Sequence, residues 1–483
     1  MVYPCFYYNL KMADALNLLV TYSGNQEQSK WHGLRKVVER LSFGLIQVVF
    51  LLQLLSTLCY ATKYKAELME KLVEDLVVFQ TCLELTFITL HKDDLINLVN
   101  LMKRNFSTVD PVVVTACAKE EKKWYLMFAA LTASAFSLAV AEVHLVPAEG
   151  RDQMRAEMYG YKYPNNKVPI NYYTPPFLNL DISAPPLYYI YSTLMPCAAF
   201  VLLVSACLTY TLLGVFSIHI KGQYDILLKY FTMIQKPDRD KWGHIKFYVN
   251  IVTGDYFICS NDPTKIVLYT RASPSQADNY RTVIGNMLSR TDQWTNCHWI
   301  RDTHLRKHMR RAIEKELCSP LYDEFFLKQI IRHHQFLLQY RIKVQSFMTP
   351  MAASTCLLIV GLIGLDTQIV LTSEYKLTYF FCLILVALQI MKLVSFSESL
   401  EDCNRQFQRM VYTCSDWPFK SRSIRTLVQI VIQRTNKSEH FSFHGGVITY
   451  DRPLLLMLFT TTYRFLNWLV LVSKKEETLK SLV

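Results

Sequence analysis

Residues 454–472 read LLLMLFTTTYRFLNWLVLV, and how this stretch is read decides the fold. Nineteen residues are enough for an α-helix to cross ~30 Å of hydrocarbon, and bulky apolar side chains dominate both ends. The middle differs: Thr460, Thr461, Thr462, Tyr463, Arg464 and Asn467 form a polar set that a helix surrounded by lipid would avoid. Two explanations stay open, helix packing through small polar residues and the lining of a water-filled path in an oligomer. Both require a membrane helix with protein or water on one side.

Working outward, six further apolar windows have spanning length: Leu41 to Tyr60, Leu72 to Leu90, Trp124 to Leu145, Leu187 to Ile218, Phe347 to Leu371 and Leu377 to Val394. The composition agrees. In 483 residues, 51% are hydrophobic and only 19% charged, well below the quarter usual in soluble domains. The expected fold class is therefore an all-α membrane protein of seven transmembrane helices. The second window carries Glu74, Asp75 and Glu84, so it is expected to line a bundle interior or cavity.

Lys and Arg set the orientation. With the N-terminus inside, the first two cytoplasmic segments hold eleven and the facing outer loops seven, which favours N-inside and C-outside. Lys474, Lys475 and Lys480 pull the other way. The expected division is a cytoplasmic segment 1–40, spans 1 to 4 over 41–218, and a long cytoplasmic loop with helix extensions over 219–346. Spans 5 and 6 follow over 347–394, then a cytoplasmic anchor region 395–453, the seventh helix 454–472 and a tail 473–483. The long loop is too aromatic for disorder and ends in the amphipathic stretch LYDEFFLKQIIRHHQFLLQYRIKVQSF (residues 321–347), which runs on into span 5. The N-terminal sequence MVYPCFYYNLKMADALNLL lacks the pattern of a secretory signal.

The formal charge of +12 would raise nucleic-acid binding in a soluble protein, but membrane proteins collect Lys and Arg in cytoplasmic loops, so no nucleic-acid partner is expected. Thirteen scattered cysteines without a CxxC pair suit neither a zinc site nor a disulfide framework. His333 and His334 point about 100° apart on a helix, with no third ligand in sequence. His304 and His308 fall in the basic run RDTHLRKHMRRAIEK (301–315), which reads as a solvated face or a contact with anionic lipid. Phosphate-loop, dinucleotide and serine-nucleophile motifs are missing, so the reading is no enzyme, no metal and no cofactor. Asn105-Phe-Ser and Asn436-Lys-Ser have glycosylation spacing but fall on the expected inner side.

Several passages together resemble the insect odorant receptor family. They are PINYYTPPFLNLDISAPPLYYIY (169–191), HHQFLLQY (333–340), the Tyr412, Cys414, Asp416, Trp417 pattern of MVYTCSDWPF, LVQIVIQRTNKS (427–438) and TTTYRFLNWLV (460–470). With the seven spans, the resemblance covers about Leu41 to Val472. It implies a ligand-gated, non-selective cation-channel subunit that binds small volatile odorants and assembles in a hetero-tetramer with an odorant receptor co-receptor. The implied location is the plasma membrane of an olfactory sensory neuron's dendrite. It also implies an intracellular anchor built from extensions of helices four to seven, with the last helix lining one central pore. Carried over by motif, the gate falls near Leu466, with Leu469 or Val470 one turn beyond. The odorant pocket maps to Val78, Phe79, Phe136, Val140, Tyr188, Tyr189, Tyr191, Met195, Tyr379 and Phe380, an apolar and aromatic set suited to binding by burial, though many of them also suit ordinary helix packing. Arg464 departs from the family's generally apolar pore helix. It either faces the lumen or pairs with an acidic group such as Glu74 or Asp75. A gustatory receptor of the same superfamily is the alternative, but its TYxxxxxQF-type ending is missing. A G-protein-coupled receptor would show DRY and NPxxY, and neither occurs.

Overall fold

The structure is a computed structural model that describes residues 32–59, 65–145, 187–234, 237–259, 266–270, 274–288, 320–372, 377–413, 417, 421–436 and 440–482. Its helices are α1 (His32–Cys59), α2 (Lys65–Leu90), α3 (Lys92–Asn105), α4 (Pro111–Leu145), α5 (Leu187–Met233), α6 (Pro274–Leu288), α7 (Pro320–Thr372), α8 (Leu377–Thr413), α9 (Arg422–Thr435) and α10 (Arg452–Leu482). Each of the seven apolar windows lies within one of these helices, apart from Tyr60, which is outside the described residues. By length and composition, α5, α7 and α8 contain stretches long and apolar enough to cross a membrane.

Two helices far exceed a bilayer. At 53 residues α7 is about 80 Å long, and at 47 residues α5 is about 70 Å. They pack on each other and on α8, while α4 packs against α5 and α8, and α2 against α7. The core runs without a break from the apolar windows into the polar half, through Tyr224, Tyr230, Phe326, Tyr340 and Phe407. Pro350 sits inside α7, where it removes one helix hydrogen bond.

Local chemistry fixes the ends. Asp110 precedes Pro111 and caps α4, its Oδ1 accepting from the amides of Val112 (3.0 Å) and Val113 (3.4 Å) while Oδ2 accepts from Lys229 Nζ at 2.6 Å. Ser421 caps α9, accepting from Ile424 N. Asp451 caps α10, accepting from Leu454 N at 2.9 Å.

The all-α expectation needs one correction. Strands β1 (Phe247–Asn250), β2 (Asp255–Cys259) and β3 (Ile266–Tyr269) form an antiparallel sheet in the order β1-β2-β3. The segments FYVN, DYFIC and IVLY are β-branched and aromatic, and a turn at Gly254 (φ +74°) reverses the chain between the first two. Side chains of α7 satisfy the free edge of β1: the Tyr322 hydroxyl accepts from Tyr248 N, and Gln329 bonds Tyr248 O and Ile251 N. A second, two-stranded hairpin, β4 (Ser442–Phe443) with β5 (Ile448–Thr449), leads directly into α10.

Candidate ligand pocket and pore helix

Helix α10 is held along one stripe. Leu454, Leu458 and Thr462 are buried, the last at 4% exposure, and Phe465 and Leu466 are half-buried beside them. This stripe meets α7. Gly364 of α7 has no side chain, and the Phe465 ring occupies the space that a Cβ there would need. Among the described side chains on its other sides, Leu456, Met457, Phe459, Tyr463, Trp468, Val470 and Leu471 are exposed, as are Thr460, Arg464 and Asn467.

The base of α10 is clamped from two sides. From α7, Arg341 donates to His440 O (3.1 Å) and Gln345 to Ser442 Oγ (3.0 Å). From α8, Ser397 Oγ accepts from Phe441 N (2.9 Å), and Glu398 pairs with Arg452 at 2.9 Å. Tyr450, buried against Phe443, closes the hairpin by donating its amide to Phe441 O. None of these polar partners stands out in the sequence, because each is an ordinary residue until the hairpin is placed.

Two acidic residues of α2 point inward. Asp75 is 5% exposed and Glu84 1%. Glu84 Oε1 accepts from Gln80 Nε2 (3.1 Å) and from Thr355 Oγ1 of α7 (3.0 Å), joining the two helices through a carboxyl group in the bundle interior. Glu74 is taken by Lys71 at 2.7 Å and approached by Gln53 at 3.5 Å. The pairing of Arg464 with Glu74 or Asp75 is thus corrected: Arg464 is exposed on the open side of α10, and both acids belong to α2.

Among the pocket candidates, Val78 is buried, Tyr379 half-buried, and Phe79, Tyr189 and Phe380 exposed. Phe79 stacks obliquely on Phe50 of α1, with ring centres 5.7 Å apart. Phe136, Val140, Tyr188, Tyr191 and Met195 lie on α4 and α5, but their side chains fall outside the described residues, as does that of Leu469. The Tyr- and Pro-rich loop 159–186 and the basic run with His304 and His308 are outside them too.

The polar half beyond the apolar windows is tied by buried hydrogen bonds. Gln223 of α5 accepts from Ser107 N (2.7 Å) and from His333 Nε2 of α7 (3.1 Å), and donates to Ser107 O (3.1 Å). His334 packs its ring on Phe407 at 4.8 Å. These histidines are structural partners, one hydrogen-bonded and one stacked. Glu121 of α4 and His219 of α5 meet at 2.8 Å, fully enclosed, a pair that sequence spacing could not reveal across 98 positions.

A bundle of long helices, three of them apolar enough to span among the described residues, with a tightly bonded polar half, is consistent with a multi-pass membrane protein. The model of the 7tm odorant receptor family matches residues 296–464. Among solved structures, the fold is similar to that of the insect olfactory receptor OR5 from Machilis hrabei. The TM-score is 0.61 at 11% identity, over 96% of this chain and 98% of that one. The same receptor in complex with eugenol gives 0.57 at 11% identity, over 97% and 99%. No curated protein matches the sequence. The family match over residues 296–464 and a shared fold are what this chain has in common with insect odorant receptors.

Proposed function

We propose that the chain is an odorant-gated, non-selective cation-channel subunit. It works with an odorant receptor co-receptor in a hetero-tetramer, in the plasma membrane of an olfactory neuron's dendrite. The observation that carries this reading is α10: a helix of spanning length, packed on its own subunit along one stripe, with Thr and Asn among its exposed residues. The match to the odorant receptor family and the likeness to a receptor solved with eugenol support a small volatile as ligand.

On this reading the chain has seven spans with its N-terminus inside, and the polar half of the bundle is cytoplasmic. The ligand enters the outer halves of α2, α4, α5 and α8, where Val78, Phe79, Phe136, Val140, Tyr188, Tyr189, Tyr191, Met195, Tyr379 and Phe380 supply apolar and aromatic surface. A Tyr hydroxyl is available for one hydrogen bond. Tighter binding to the open arrangement shifts the population toward it. The gate lies at the level of Leu466, Leu469 and Val470, where an apolar ring closes by excluding water. Whole-cell recording from cells expressing the chain with the co-receptor, without GTP in the pipette, should show odorant-evoked cation current. Absence of current across a broad volatile panel, with the protein at the cell surface, overturns the reading.

A further inference from the structure

Asp366 lies on α7, inside the apolar window that ends at Leu371. It is 1% exposed, and neither of its carboxyl oxygens has a hydrogen-bond partner among the described residues. Two other enclosed acids differ. Glu84 accepts bonds from Gln80 and Thr355, and Asp75 has the Thr57 hydroxyl and the Lys71 ammonium beside it. A carboxyl enclosed without bond or cation costs stability, and such a group in a folded protein calls for an explanation.

Helix geometry places the group in the bundle interior. Thr355, Ile359, Leu362 and Asp366 are spaced three or four residues apart and form one buried stripe of α7. Thr355 ties one end of that stripe to Glu84 of α2, and Asp366 lies about 16 Å further along. Helix α8 begins at Leu377, shortly after α7 ends at Thr372, and the two pack together, so Asp366 is at the end of the bundle that holds Tyr379 and Phe380. Gly364, whose missing side chain makes room for the Phe465 ring of α10, lies about 160° round α7 from Asp366. One side of α7 thus carries the unbonded carboxyl, and the other carries the last helix.

We infer that Asp366 is the charge-bearing contact of the ligand site and that it selects small volatile amines. The inference rests on the receptor reading above and names its ligand class. An ammonium supplies both things that the carboxyl lacks, a donor and a compensating charge. In a low-dielectric interior that charge-assisted hydrogen bond outweighs what an alcohol of the same shape offers. The aliphatic tail is held by burial against the apolar and aromatic side chains of the site. Because the carboxyl is enclosed in this arrangement, an amine gains most from an arrangement that admits it beside Asp366, and that difference in affinity is what shifts the population. Movement of α7 at Asp366 reaches α10 through the contact of Gly364 with Phe465.

Binding and gating are read separately. With the detergent-solubilised full chain at neutral pH, 1-hexylamine should raise the midpoint of thermal unfolding by about 2 °C or more at a concentration where 1-hexanol, nearly the same in shape, does not. Asp366→Asn and Asp366→Ala should each abolish that shift. Both remove a carboxyl that nothing bonds, so the fold loses no hydrogen bond in either, and one folded variant suffices. In recordings with the co-receptor, half-maximal activation by 1-hexylamine should need about tenfold more ligand in Asp366→Asn, with activation by 1-hexanol unchanged. No shift with 1-hexylamine in the parent, or an equal shift in the variants, overturns the inference whatever the recordings show. An unchanged amine response in an Asp366→Asn channel that conducts overturns it too, and leaves the channel reading standing. If the shift depends on Asp366 while no volatile evokes current, the channel reading falls and Asp366 stands as an amine site.

Discussion

At the scale of single residues, Glu84 shows how a charged group is made tolerable inside the bundle. Its Oε1 accepts two side-chain hydrogen bonds, one from its own helix and one from α7. Truncation would strand both donors and open a cavity, so Glu84→Ala should cost about 2–4 kcal/mol, whereas Glu84→Gln keeps shape and acceptor and should cost under about 1.5 kcal/mol. Thermal unfolding of the detergent-solubilised protein distinguishes the two. Equal losses for both variants would mean that the carboxylate charge, rather than the shape and the accepted bonds, stabilises the contact. The inward direction of α2 was legible from sequence, because acids in an apolar window have few places to go. The partner Thr355 was not, since a threonine in a membrane helix usually bonds its own backbone, and Met351 O competes with Glu84 for the one Thr355 hydroxyl proton.

At the scale of elements, each window of spanning length falls on a helix, three of which contain stretches apolar enough to cross a membrane, because solvent sets that pattern directly. The β1-β2-β3 sheet was not legible: its strands are four or five residues long, and side chains of α7 seal the edge of β1. Asp238 anchors this sheet. Burial raises its carboxyl, but the Tyr248 hydroxyl (2.7 Å) and Lys246 (3.0 Å) outweigh burial and hold its pKa below the ordinary value. A carboxyl depressed in the folded state stabilises above its unfolded value near 3.9 and loses that contribution as pH falls through the folded one. Protection of the amides in residues 245–258, corrected for the intrinsic exchange rate, should therefore fall below about pH 4 in the parent. It should depend less on pH in that range in Asp238→Asn. Identical pH profiles for the two would remove Asp238 from this role.

At the scale of the whole molecule, the proposed orientation makes a topological prediction. With the N-terminus inside, Asn105 at the end of α3 and Asn436 at the end of α9 both lie in the cytoplasm and stay unglycosylated, although each has acceptor spacing. Gel mobility before and after glycosidase treatment checks this, and sugar on either asparagine would reverse the orientation. Asn436 is already engaged, since its Oδ1 accepts from Gln408 of α8. The position of α10 at one side of the bundle was only half legible. Its polar centre announced a special helix, but the side that meets α7 depends on the space left by Gly364 for the Phe465 ring.

The hairpin ahead of α10 has a kinematic consequence. Bonded to both α7 and α8, it fixes the lower end of the helix near Asp451, so any tilt of α10 against α7 pivots about that point. Leu466 is 15 residues higher, about 22 Å, so a tilt of about 5° displaces it by about 2 Å, while residues beside the pivot hardly move. Motion amplified by lever length in this way makes small strains far from the hairpin the efficient input, and the end bonded to α7 and α8 the stationary frame against which they act.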